Sequence, residues 1–322
     1  MSEDEHPEQR GGIIVGVTAF VVWGLLTIYW KQLQDFNAFE LIGWRITASA
    51  VLMAAALSAT RRWGHLAVLR YNRRLLSRVI AAALLLSVNW TSYVWAVVNG
   101  HVLETALGYF ISPLGTVAIG VLVLHERLRP TQQVALSLAA AAVVVLTISN
   151  GHIPWIALLM ATTWTVYGYL KKQVPLSPLE SMAAESLVLV VPAAALALAL
   201  AGKAGSIPNS ASGLQLTYAI LTGAATVIPL MLFAFAVKRV PLTIMGPMNY
   251  VVPSMNFVIG WLLYDEALPP LRIVGFGLVW AGLAIFTIDS ARRARHGRGS
   301  IASDGRLVPF EVHSKNERQT AK

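Results

Sequence analysis

The stretch PLGTVAIGVLVLHERLRPTQQVALSLAAAAVVVLTI, residues 113–148, is followed 140 positions later by PSMNFVIGWLLYDEALPPLRIVGFGLVWAGLAIFTI, residues 253–288. Aligned at that offset, 12 of the 36 positions are identical, including Pro113/Pro253, Gly120/Gly260, Glu126/Glu266 and Pro130/Pro270. Apolar coincidences come easily in hydrophobic helices. Two prolines, a glycine and a glutamate in register do not. The offset far exceeds a solenoid period of roughly 20–50 residues, so the chain carries a duplicated half, not a stacked array.

Hydrophobic residues make up 56% of the chain and charged residues 13%, and mean hydropathy is +0.61. A soluble domain carries roughly 25% charged residues, about twice as many. The apolar stretches fall at roughly 11–30, 38–60, 75–98, 102–124, 131–149, 153–171, 178–201, 213–236, 241–264 and 270–289. Each approaches the roughly 20 residues that a bilayer crossing requires. The predicted fold is all-α, a polytopic membrane protein of about ten transmembrane helices. The sixth stretch is the weakest, diluted by Thr162, Thr163, Thr165 and Lys171.

The net charge of +9 has a definite placement. Arg61, Arg62, Arg70, Arg73, Arg74 and Arg78 lie between the second and third spans. Arg127, Arg129, Lys171, Lys172, Lys238, Arg239 and the basic tail fall on the same side of alternating spans. Only Lys31, Lys203 and Arg272 fall opposite, and Arg45 lies within a span. Positive-inside bias therefore predicts cytoplasmic N- and C-termini, and it accounts for the arginine clusters without nucleic acid. The acidic segment Met1–Arg10 lacks the basic start of a secretory signal, so the first span is expected to be retained. The chain has no cysteine, which leaves no thiolate metal site.

Ten spans shared between two copies give five each, and an odd number turns the second copy upside down. The Glu126–Pro130 turn carries two arginines, whereas its counterpart from Asp265 to Pro270 has none, as opposite faces require. The expected organisation is a cytoplasmic segment 1–10, a first repeat 11–149, a second inverted repeat 153–290 and a disordered cytoplasmic tail 291–322. Inverted repeats of this kind are a transporter architecture.

The run Asn89–Trp90, Trp95–Ala96–Val97, Asn99, His101, Leu103–Glu104, Leu107–Gly108–Tyr109–Phe110–Ile111, Pro113–Leu114 and Glu126–Arg127 resembles the signature of the RarD family of EamA-type drug/metabolite transporters. The resemblance extends over roughly residues 11–290 and is most specific in the fourth span. It implies ten helices in two EamA-like repeats, a bacterial inner (cytoplasmic) membrane location and passage of a small metabolite or drug-like solute.

Candidate cavity residues come from helical periodicity. Tyr109, Pro113, Thr116 and Gly120 share one face of the fourth span, and Asn249, Pro253, Asn256 and Gly260, with neighbouring Tyr250, repeat it in the ninth. Proline removes an amide donor and crowds the carbonyl four residues earlier, so Pro113 and Pro253 should free the carbonyls of Tyr109 and Asn249. A freed carbonyl in hydrocarbon needs another partner. Two interrupted helices facing a cavity would supply one, and two kinked, closely packed helices would also. In the third span, Asn89, Ser92, Ala96 and Asn99 share one helical face, with the aromatics Trp90, Tyr93 and Trp95 interleaved. It suits either an organic solute or interhelical hydrogen bonding. Among charged groups, Arg45 and Glu104 are expected at similar depth near the outer side, as a gating pair or an anion site. Glu185, 140 positions after Arg45, is either a coupling-proton acceptor or a carboxylate wetted at a helix end. Glu126 and Glu266 belong to opposite faces and are read as helix-end caps.

The sequence contains no GxxxxGK[ST] loop for ATP and no HExxH or GxSxG constellation. The expected activity is secondary, non-ATP transport by alternating access, with a passive channel or an integral-membrane enzyme as alternatives. No cofactor and no metal are expected. The expected partners are a small-molecule solute and the lipid bilayer, with a coupling proton and a homodimer left open.

Overall fold

The computed structural model describes residues 5–122, 125, 129–237, 239–240, 245 and 248–303, and all regular structure among them is helical. The long helices are α1 (Glu5–Lys31), α2 (Ala38–Ala59), α5 (Arg73–Val98), α6 (Val102–Leu122), α7 (Pro130–Asn150), α9 (Pro178–Ala201) and α11 (Gly213–Val237). The last helix, α13, runs Pro270–Ser303. Short turns α3 (Trp63–Leu66), α4 (Val68–Tyr71) and α10 (Ile207–Ser210) lie in the connections.

Among the described residues, eight helices are long and apolar enough to cross a membrane. Two expected spans are shorter. The sixth, α8 (Trp155–Lys171), has 17 residues because Pro154 sets its start. The ninth, α12 (Val251–Val258), continues as a π-helical turn Ile259–Leu263 after a turn at Asn249–Tyr250. Pro253 occupies the first turn of α12, where its missing amide leaves no helical bond unmade. Pro113, by contrast, lies inside the continuous α6. The helical course of α13 extends to Ser303, beyond the predicted start of the tail at Ala291. Ala291–Arg–Arg–Ala–Arg295 is a run of strong helix formers. Gly120's surroundings, Glu126, Arg127 and the tail from 304 onward lie outside the described residues.

Helix pairing follows the sequence duplication. The pairs α2·α9, α6·α12 and α7·α13 each join a first-half helix to its second-half counterpart. The remaining major contacts come in exchanged sets: α1·α11 with α5·α8, α2·α11 with α5·α9, and α1·α12 with α6·α8. Each set maps onto itself when counterparts are swapped. His125 and Asp265, 140 positions apart, also share a left-handed backbone, with φ of 54° and 51°. Such φ values are uncommon outside glycine.

Close approach depends on small residues. A Cβ on Gly223 in α11 would sit 2.6 Å from the backbone carbon of Ala48 in α2. Contact this close brings two helix backbones together and lets dispersion act over their whole length. The largest buried cluster among the described residues gathers Trp30, Leu41, Ile46, Val94, Ile156 and Met160 from α1, α2, α5 and α8, with Leu33 from the connection after α1.

Candidate functional site

Asn37 starts α2 by accepting the Phe39 amide at 2.8 Å, and Arg45 follows two turns into the helix. Arg45 is 4% exposed. Its Nε donates to Thr226 Oγ1 of α11 at 2.9 Å, and Thr226 spends its own proton on the Thr222 carbonyl at 2.9 Å. The guanidinium carbon stands 4.0 Å from the ring centre of Trp90 and 5.3 Å from that of Trp30. Both rings present π faces that favour a cation. Nη1 has no hydrogen-bond partner among the described residues.

Beside this cluster a buried hydrogen-bond chain crosses four helices. Thr27 of α1 donates to Asn256 Oδ1 at 2.8 Å and lies 2.9 Å from the Tyr93 hydroxyl. A hydroxyl has one proton, so Tyr93 is the donor to Thr27. Asn256 Nδ2 in turn donates to Thr105 Oγ1 of α6 at 3.1 Å, and Thr105 donates to the Val102 carbonyl at 2.7 Å. Gly260 lies against Val102 and Leu103, where an added Cβ would come within 3.2 Å and 3.3 Å of their side chains. The turn after α12 completes this end: Glu266 accepts the Val102 amide at 2.5 Å and the Leu103 amide at 2.8 Å. A carboxylate on the first amides of a helix complements its positive end. Burial raises the Glu266 carboxyl above its ordinary range, against the pull of those two amides.

The sequence-predicted residues divide among different roles. Tyr93, Trp90 and Asn256 belong to the central cluster and chain. Tyr109 is packed between Tyr93 and Trp164, each ring pair 6.1 Å apart. Asn89 is fully buried and ties α5 to α8, donating to the Met160 carbonyl at 2.9 Å and to Thr163 Oγ1 at 3.1 Å. Pro113 is half-buried and Pro253 buried. Thr116 and Asn249 are exposed, and each bonds a carbonyl one turn back: Ser112 at 3.4 Å and Met245 at 3.3 Å. Tyr250 is half-buried, its hydroxyl 3.4 Å from that of Thr287 in α13. Polar side chains are therefore buried and bonded toward the Val102/Gly260 end of α6 and α12, and exposed at Thr116 and Asn249.

The expected pairing of Arg45 with Glu104 is not made. Glu104 lies in the first turn of α6 and faces His101 at 3.4 Å, while Arg45 is turned toward α11 and Trp90. Glu185 is not wetted at a helix end. It is 1% exposed and held by Lys171 at 2.5 Å, Ser181 at 3.1 Å and Tyr167 at 3.2 Å. Thr27, Trp30, Thr105 and Thr226 were not singled out in the sequence. Single hydroxyls in apolar helices carry no periodic signal.

The chain matches the EamA-like transporter family twice, over residues 10–148 and 153–288. It is 44% identical to Protein RarD of Streptomyces exfoliatus, over 91% of this chain and 93% of that protein. It is 35% identical to the uncharacterized transporter YojE of Bacillus subtilis (strain 168), covering 90% and 98%. Protein RarD of Escherichia coli (strain K12) is 31% identical, covering 88% and 96%. A crystal structure 22% identical in sequence shares the fold, with a TM-score of 0.54 over 88% of this chain and 99% of that one. The duplicated, all-helical architecture and these relatives agree: the chain is a multi-pass membrane protein that belongs to the EamA-like transporter family and to its RarD group.

Proposed function

We propose that the protein is a secondary transporter of a small organic solute, working by alternating access between two inverted five-helix repeats, residues 11–149 and 153–290. In this reading the shorter α8 and α12 complete ten passages. Both termini are cytoplasmic, in a bacterial inner membrane, as the arginine distribution favours. The solute occupies the region around Arg45, Trp90, Tyr93 and Tyr109, where helices of both halves meet.

One observation carries the reading. The bonds that join α1 and α6 to α12 concentrate at one end of the pair: Thr27–Asn256–Thr105, and Glu266 on the Val102 and Leu103 amides. Among the described residues, Thr116 of α6 and Asn249, in the turn before α12, are exposed toward the other end. A closure confined to one end is what one state of an alternating-access cycle requires. Opening the other side requires these bonds to break and a matching closure to form. By charge placement the closed end is the outer one.

The test is counterflow. Purified full-length protein in proteoliposomes, loaded with a solute that it carries, should take up labelled solute faster than empty vesicles do. A flux indifferent to internal solute would contradict a carrier and favour a pore.

A further inference from the structure

Arg45 is the one lysine or arginine fully buried among the described residues, and no described carboxylate lies within 4.0 Å of it. Buried charges are ordinarily paired, because removing an ion from water is costly and a partner must offset it. The buried carboxylates among the described residues have other neighbours, although one oxygen of Glu104 has no described hydrogen-bond partner. Glu40 accepts the Ile207 amide, Glu104 faces His101, Glu180 holds His65 and the Ser177 amide, and Glu185 holds Lys171. What surrounds the guanidinium is neutral: the rings of Trp30 and Trp90 and the hydroxyl of Thr226. The titratable side chains within electrostatic reach are tyrosines, Tyr29, Tyr93 and Tyr109.

Nη1 is buried with no hydrogen-bond partner among the described residues. The protein thus holds a planar cation ready for an anion that it does not itself supply. A guanidinium fork matches a carboxylate in geometry and charge. A single cation balances a monoanion and would leave a phosphate dianion undercompensated. Trp30 is fully enclosed, whereas Trp90 is half-buried, and its indole suits a flat apolar body.

We propose that Arg45 binds the carboxylate of a monoanionic organic solute whose planar or apolar body packs against Trp90. The proposal rests on the transporter reading above and names the class of its cargo. Loading the site supplies the missing counter-ion, so the carboxylated solute stabilises the protein where its neutral analogue does not.

Thermal unfolding of the full chain in detergent, with matched probes, tests this. Benzoate and indole-3-acetate should each raise Tm saturably, while benzamide and indole-3-acetamide should leave it unchanged. Arg45→Gln should lose the response, and Arg45→Lys, which keeps a charge, should retain a preference for the acids over the amides. Amides as effective as acids, an undiminished response in Arg45→Gln, or no response of the wild type to either acid would overturn the proposal. Counterflow with the same probes separates this failure from the other. Accelerated exchange of the amides but not the acids sinks the anion class and leaves the carrier standing. Acid-specific stabilisation with pore-like flux does the reverse.

Discussion

Glu40 and Glu180 stand 140 positions apart, and each fastens its helix to a short helix in the other half of the chain. Glu40 of α2 accepts the amide of Ile207 in α10 at 2.9 Å, and Glu180 of α9 meets His65 Nδ1 of α3 at 2.5 Å. Both follow a capping residue by three positions, Asn37 and Ser177. The two bonds are reciprocal, as expected of a fold whose halves exchange under a two-fold rotation.

Glu40→Ala should lower stability. It leaves the Ile207 amide without its acceptor in a buried site, a loss of about 1–3 kcal/mol. Thermal unfolding in detergent, compared with a substitution at an exposed position such as Gln133, checks this. An unchanged Tm would show that water replaces the carboxylate.

Gly223→Val should destabilise more visibly than Gly202→Val. The first drives side-chain atoms into the backbone of Ala48, while a Cβ at Gly202 meets nothing within 4 Å. Overpacking of this kind costs about 1–3 kcal/mol. Size-exclusion profiles of the two variants should differ, with early aggregation confined to the first.

Thr27→Val and Asn256→Leu should not act independently. Each breaks the same buried chain, so a double-mutant cycle on stability should give a coupling of about 0.5–3 kcal/mol. Additive effects would mean that the bond between them contributes little.

Glu266→Ala should loosen the closed end. The natural chain has no cysteine, so a single Leu103→Cys reports there without background. Its labelling by maleimide should accelerate when Glu266 no longer holds the Val102 and Leu103 amides. Equal rates in the two backgrounds would remove Glu266 from the closure.

Much of this fold was legible in the sequence because hydrophobicity and proline placement are local signals. The long spans, the duplication and the aromatic face of α5 all follow from them. The pairing of charged groups did not, because it depends on how each helix is rotated about its axis. Arg45 and Glu104 share a depth, yet one turns to Thr226 and the other to His101. The Glu40/Glu180 correspondence carries little signal by itself, because it is an isolated identity among mismatched residues. The left-handed turns at His125 and Asp265 were hidden because neither residue is glycine. Hydroxyls such as Thr27 and Thr105 acquire meaning only from the helices packed against them.

The central claim is that the two halves cross the membrane in opposite senses, so equivalent positions face opposite compartments. His125 and Asp265, equivalent by offset and by backbone conformation, are both exposed. Single His125→Cys and Asp265→Cys chains in intact cells, treated with a membrane-impermeant maleimide, measure this directly. The account predicts labelling of position 265 from outside and of position 125 only after permeabilisation. Labelling of both from the same side would contradict it.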